Sequence, residues 1–161
     1  MHIWTIENWV KHLDYYSYPY RKGLRLKFDK DVDPEVRRAL KEFCKWLRQE
    51  YFFPVRIPIY VKSSEKIKAL DGEMVSATFF FPISKYHEPY GRIAVGDYQK
   101  RHVSWGKDNI LATYISSLSR LLTHYFQWIN DIKLTEIGEE RQATMYARCI
   151  LDEYAEIREH P

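Results

Sequence analysis

The sequence predicts an α+β domain with a short N-terminal helix, a mostly antiparallel sheet and then two long C-terminal helices. Short segments of alternating or β-branched character lie in the middle of the chain, whereas helical periodicity dominates its last third. The 161 residues contain no repeat, low-complexity tract or Gly/Ser linker. Because a domain typically has about 100–200 residues, we expect residues 1–161 to form a single domain.

The first elements follow from the spacing of apolar residues. Residues 3–13 favour a short helix, and the aromatic loop at residues 15–20 follows it. Residues 24–28 alternate between apolar and basic side chains, which is typical of a strand. The clearest helix begins after Asp33, a good N-cap, with Pro34 at its first position. Its apolar stripe consists of Val36, Leu40, Phe43, Leu47 and Tyr51.

Three later segments have the composition of strands. Residues 55–61 alternate, although Pro58 within them indicates an edge strand or a bulge. Residues 74–81 are rich in β-branched and aromatic side chains, and residues 90–98 alternate next to two glycines. The connections between these segments contain Asp-Gly and Glu-Pro-Tyr-Gly, which favour turns.

The two long helices are predicted at residues 108–130 and 135–159. Opposite the apolar face of the first runs a narrow polar stripe, and bulky Leu121 and Trp128 flank it. The stripe consists of Thr113, Ser116, Ser117, Arg120, His124 and Gln127. Bulky apolar neighbours favour a partly covered cleft over open solvent at this stripe. On the second helix Glu140 begins the packing face, where a carboxylate needs either a partner or a helix N-terminus.

The composition excludes several classes of protein. Hydrophobic residues at 45% and aromatic residues at 16% exclude a disordered chain. The net charge of +3 gives no strong electrostatic case for nucleic acid, and residues 132–161 hold seven acidic and four basic residues. No signal-peptide pattern or membrane-length apolar run occurs, so we expect a cytoplasmic protein without membrane contact. Cys44 and Cys149 are expected to be buried thiols.

A resemblance to a known family lies in the last two helices. Residues 115–127, ISSLSRLLTHYFQ, resemble the active-site helix of zincins, small zinc metallopeptidases whose helix carries His-Glu-x-x-His. Residues 140–143, Glu-Arg-Gln-Ala, resemble the Glu-x-x-Ala segment that supplies the third zinc ligand in gluzincins. The resemblance implies a minimal zincin-like fold. In zincins an edge strand pairs with extended substrate, and residues 90–98 are the candidate for that strand here.

The sequence departs from the zincin motif at the positions that carry its chemistry. In that motif two imidazoles one helical turn apart ligate zinc, and the glutamate removes a proton from zinc-bound water. Here Arg120 takes the first histidine position and Leu121 the glutamate position, so only His124 remains. A guanidinium stays protonated and cannot ligate a metal. The resemblance therefore implies a pseudoenzyme with no catalytic residue, no metal and no other cofactor.

The replacement of a ligand by arginine suggests a specific arrangement of the vestigial site, which comprises Arg120, His124 and Glu140. We expect Arg120 and Glu140 to form an ion pair across the two helices, with His124 beside it and a nitrogen–oxygen distance within about 4 Å. Such a pair fixes helix registry more than it adds stability, because desolvation offsets the attraction. The sequence leaves open whether Glu139 or Glu140 holds this position.

Three functions remain open at the level of sequence. The first is a catalytically inactive metallopeptidase-like protein that binds a peptide or protein in the former substrate groove. The second is an active zinc peptidase with non-standard ligands, namely His124, Glu140 and a histidine at position 87 or 102. The third is a nucleic-acid-binding module that uses the Tyr, Arg and Lys side chains of residues 15–22, although the small net charge argues against nucleic acid as a partner.

Overall fold

A computed structural model describes residues 2–11 and 23–161 of the chain. After a 3-10 turn at Asn8–Lys11, the elements in chain order are β1 (Leu24–Phe28), α1 (Pro34–Glu50), β2 (Ile57–Lys62), β3 (Ile67–Lys68), β4 (Met74–Val75), β5 (Ala77–Phe80), β6 (Tyr90–Ala94), α2 (Tyr98–Trp105), α3 (Lys107–Ile129) and α4 (Glu136–Ile157). The aromatic loop predicted at residues 15–20 and the nucleic-acid hypothesis for residues 15–22 lie outside the described residues.

The α+β class is confirmed, but the main sheet is mixed rather than mostly antiparallel. Its strand order is β1-β2-β6-β5, in which β1, β2 and β6 run parallel and β5 runs antiparallel to β6. A second, two-stranded antiparallel sheet joins β3 and β4. The sequence predicted α1 but not its consequence: α1 connects β1 to β2, and a helical crossover of this kind joins parallel strands.

The edges of the main sheet also differ from the sequence-based expectation. β2 lies between β1 and β6, so the segment containing Pro58 is central rather than at an edge. Pro58 is tolerated because it precedes the first residue pair of the β2–β6 ladder, Ile59 with Gly91. Residues 90–98 do not form the edge strand either, because β6 is central and ends at Ala94. The strand at the edge on that side is β5.

The helix predicted at residues 3–13 is absent from its described part, which contains only the short 3-10 turn. Side-chain hydrogen bonds to the long helices hold this segment instead. The indole nitrogen of Trp4 donates to Thr123 Oγ1 at 3.0 Å, and the backbone nitrogen of Ile3 donates to the Tyr146 hydroxyl at 3.1 Å. The three long helices are confirmed, including the Asp33 cap, whose carboxylate accepts from the Glu35 backbone nitrogen at 2.8 Å.

The core lies between one face of the main sheet and helices α1, α3 and α4. We call this the inner face of the sheet. Its fully buried sheet residues are Leu24, Ile57, Ile59, Val61 and Ile93. Cys44 is buried in α1, where desolvation raises the pKa of its thiol to about 12, whereas Cys149 is exposed, contrary to the expectation for both cysteines.

Helix α3 packs closely on the inner face at Gly91. A Cβ at this position would lie 2.6 Å from both δ-carbons of Leu121 and 2.8 Å from Cδ1 of Ile59. We expect Gly91→Ala to lower the free energy of unfolding by about 1–3 kcal/mol, because side-chain ends must shift to admit the methyl group. Denaturant titration measures the loss. In a Leu121→Ala background the same change should cost less, and an equal cost in both backgrounds would contradict the proposed contact.

Candidate functional site

The predicted cleft is present beside the edge strand β5. It has a volume of about 770 Å³ and is bounded by β5 on one side and by α3 and the first turns of α4 on the other. Helix α3 lines it with Ser117, Arg120, Leu121, His124, Gln127 and Trp128. Four residues of the predicted polar stripe and both flanking apolar residues therefore meet in the cleft. Thr113 and Ser116, at the start of the stripe, do not line it.

The structure brings the three residues of the predicted vestigial site together. Arg120 Nη2 lies 2.7 Å from Glu140 Oε2, and His124 Nε2 lies 3.2 Å from Glu140 Oε1. The side chains of Arg120 and Glu140 are 49% and 54% exposed, so water screens the pair and its net stabilisation is at most about 1 kcal/mol. Glu140, and not Glu139, forms the contacts with both Arg120 and His124.

Two glutamines extend this cluster into a hydrogen-bonded link between α3 and α4. Gln127 accepts at its Oε1 from His124 Nδ1 at 2.8 Å, and its amide nitrogen donates to the Glu139 carbonyl and to Gln142 Oε1 at 3.1 and 2.9 Å. Both ring nitrogens of His124 thus face oxygen atoms. Sequence reasoning placed Gln127 in the stripe but missed Gln142, whose only signal is its position two residues after Glu140.

The residues of the cluster do not fit a zinc ion. Two of them, His124 and Glu140, are possible ligands, while the guanidinium of Arg120 contacts the carboxylate that would have to coordinate the metal. His87 is exposed in the loop before β6, and His102 contacts the Tyr98 carbonyl through its Nδ1 at 2.9 Å; neither lines the cleft. Within residues 2–11 and 23–161 no three His, Cys, Asp or Glu residues are grouped to hold a metal.

The outer edge of β5 offers backbone groups to the cleft. The backbone nitrogen of Ala94 donates to the Ser76 carbonyl at 2.8 Å. This bond determines which residues of β5 direct their backbone N–H and C=O groups towards β6 and which direct them away. By that alternation the N–H and C=O groups of Ala77 and Phe79 face away from β6. The Phe79 ring stacks on Phe81 with centroids 5.8 Å apart, and both line the cleft. Sequence analysis recognised this strand but not its place at the edge.

Among the described helices, none is long and apolar enough to cross a membrane. Comparison of this chain with known protein families, curated proteins and solved structures finds no match.

Proposed function

We propose that the protein binds an extended peptide along β5 and does not cleave it. The observation that carries this proposal is a strand at the edge of the sheet beside a cleft in which Arg120, rather than a metal ligand, contacts Glu140. The zincin resemblance supports the same reading of the two helices, with Arg120 at the first ligand position. The bound partner would be a protein or peptide segment in extended conformation.

The residues at the positions of the zincin chemistry support the proposed absence of cleavage. Leu121, at the position of the general base, is 3% exposed and has no group that takes up a proton. Arg120 is a permanent cation that pairs with Glu140, so this carboxylate is not free to coordinate a metal ion. With His124 and Glu140 alone, the cluster lacks the three protein ligands that hold a catalytic zinc.

Peptide addition to β5 uses groups that are already positioned. The outward N–H and C=O groups of Ala77 and Phe79 can continue the sheet by antiparallel or parallel pairing with an added strand. Alternate side chains of that strand would meet the apolar part of the cleft formed by Phe79, Phe81 and Trp128. The indole nitrogen of Trp128 donates to the Pro82 carbonyl at 2.9 Å and so fixes the ring at the end of this surface.

The test blocks the strand edge at Ala77, which itself lines the cleft, and leaves the other cleft side chains unchanged. We expect Ala77→Pro to weaken peptide binding by about tenfold or more, because it removes an outward donor and puts a ring in the path of the added strand. Ala77→Val keeps the donor and is the matched control. The probes are fluorescent linear peptides selected by display against the unaltered protein, and fluorescence anisotropy measures their affinity.

Two outcomes would contradict the proposal. One is equal affinity of the selected peptides for the unaltered protein and for a folded Ala77→Pro variant, with thermal unfolding as the check on folding. The other is the appearance of cleaved peptide in mass spectra after prolonged incubation with the unaltered protein.

A further inference from the structure

The main sheet has a second face, which we call the outer face, opposite the inner face on which the helices pack. Register places Lys27, Tyr60, Arg92 and Thr78 in one row across all four strands. Neighbouring rows add Arg25, Lys62, Tyr90 and Phe80. Helix α3 meets the sheet at Gly91 and α1 at Phe28, both on the inner face, whereas on the outer face β3 contacts β6 and its Lys68 carbonyl accepts a hydrogen bond from Arg92.

Three aromatic rings form a contiguous surface on the outer face. Tyr90 lies between the other two: its ring stacks on Phe80 with centroids 5.0 Å apart and meets Tyr60 edge-on at 6.1 Å. Phe80 is 39% exposed, and the two tyrosines are partly exposed. The rings come from the adjacent strands β2, β6 and β5, so the sheet backbone fixes their spacing.

The same face carries positive charge that no carboxylate of the described residues fully neutralises. Lys62 pairs with Asp29, but within the described residues Arg25, Lys27 and Arg92 have no acidic partner at ion-pair distance. Lys27 Nζ lies 5.6 Å from the centre of the Tyr60 ring. Thr78 Oγ1 and the Lys68 carbonyl accept hydrogen bonds from the guanidinium of Arg92 at 3.2 and 3.3 Å, and Arg92 is next to Tyr60 in the register of the sheet.

We propose that the outer face binds single-stranded nucleic acid. Exposed rings on neighbouring strands provide stacking surfaces for unpaired bases, and cations beside them contact the phosphates between those bases. An aromatic surface of this size suits roughly two or three stacked bases. A duplex does not fit, because its bases already stack on each other and present no free ring faces.

The small net charge of the chain does not conflict with this binding mode. The seven acidic residues of positions 132–161 belong largely to α4, which packs against α3 on the helical side of the sheet. The cations of the outer face are therefore separated from them. This site goes beyond the peptide cleft, which lies at the edge of β5 and on α3, so each can be tested without the other.

The experiment uses fluorescein-labelled oligothymidylate and oligouridylate of about 12 nucleotides, together with a DNA duplex of the same length. Fluorescence anisotropy at about 50 mM salt should show binding of the single strands, with affinity that falls steeply towards about 200 mM. The two single strands separate DNA preference from RNA preference, and binding of either supports the proposal.

Variants then separate stacking from charge. Tyr90→Ala should weaken binding by about tenfold, while Tyr90→Phe, which keeps the ring, should stay within about threefold. Lys27→Glu should weaken binding by about tenfold and lower its salt dependence. Lys45→Glu is the charge-matched control, because Lys45 is exposed on α1 away from the sheet; it should have little effect. Thermal unfolding shows whether each variant is folded.

Three results would overturn the proposal. The first is no binding of either single strand at low salt. The second is equal or tighter binding of the duplex, which would mean that charge alone is recognised. The third is loss of binding in Lys45→Glu equal to the loss in Lys27→Glu, or no loss in a folded Tyr90→Ala variant.

Discussion

Replacing Arg120 by histidine is expected to give the protein a zinc site. The new imidazole would lie one helical turn before His124 on the same face of α3, and Glu140 already faces both positions. The change also removes the cation that contacts this carboxylate. Two imidazoles and a carboxylate are a sufficient set of protein ligands for zinc. The variant should therefore retain a single equivalent of zinc after dialysis.

Bound zinc should also stabilise the Arg120→His variant, because a metal that binds only the folded chain adds about 2.7 kcal/mol when its free concentration is a hundred times Kd. Thermal unfolding with and without zinc measures this gain. Arg120→Gln, which removes the cation without adding a ligand, and Arg120→His combined with His124→Ala are the controls and should show no gain. A folded Arg120→His variant that does not bind zinc would contradict the assigned positions of residues 120, 124 and 140.

Arg120→His alone is a better test of zinc binding than Arg120→His combined with Leu121→Glu, because position 121 is buried. Leu121 is 3% exposed, and its δ-carbons pack over Gly91 on the inner face. A carboxylate there would be buried beside apolar groups, and loss of stability would obscure any gain from the metal.

Gly96→Ala is expected to cause the largest loss of stability among the changes considered. A Cβ at this position would overlap the Ser63 carbonyl oxygen and lie 2.5 Å from the Ser64 carbonyl carbon. These are backbone atoms, and hydrogen bonds from Val95 to Lys62 and from Gly96 to Ser64 fix them. Because the clash cannot be relieved by a side-chain rotation, we expect a loss of more than about 4 kcal/mol or failure to fold.

Gly72→Ala separates this steric effect from the general cost of replacing glycine. Gly72 has a φ of +89°, and apart from Gly72 and its two chain neighbours no atom of the described residues lies within 4 Å of the point that a Cβ would occupy, so its replacement brings backbone strain without a clash. We expect a loss of about 1 kcal/mol, measured by denaturant titration under the same conditions. If Gly96→Ala were no more destabilising than Gly72→Ala, the packing of Gly96 against residues 63–64 would be wrong.

The parts of the structure that the sequence predicts are those set by local signals. Asp33 and Pro34 mark the beginning of α1 because capping depends on adjacent residues. Helical periodicity on α3 places Arg120 and His124 on one face with Leu121 and Trp128 beside them. The position of Glu140 opposite them followed from the zincin resemblance and from its place at the start of the packing face of α4.

The parts that the sequence does not predict depend on contacts between distant segments. Composition alone does not determine which strands are neighbours. The edge strand was expected at residues 90–98, which include β6, whereas in the structure β5 is at the edge and β6 is central. Residues 3–13 have helical spacing, but bonds from Ile3 and Trp4 to the long helices replace a regular helix. The outer face combines side chains from four strands. Its positive charge cannot be seen in the net charge of the chain, because acidic residues elsewhere offset it.

The proposal that Arg120 takes the place of a metal ion is tested by the zinc content of the unaltered protein after saturation with zinc and dialysis without chelator. If Arg120 holds the place of the metal between α3 and α4, elemental mass spectrometry should find far less than an equivalent of zinc per chain, and His124→Ala should not change it. A full equivalent of zinc in the unaltered protein that disappears in His124→Ala would refute this replacement and favour an active metallopeptidase.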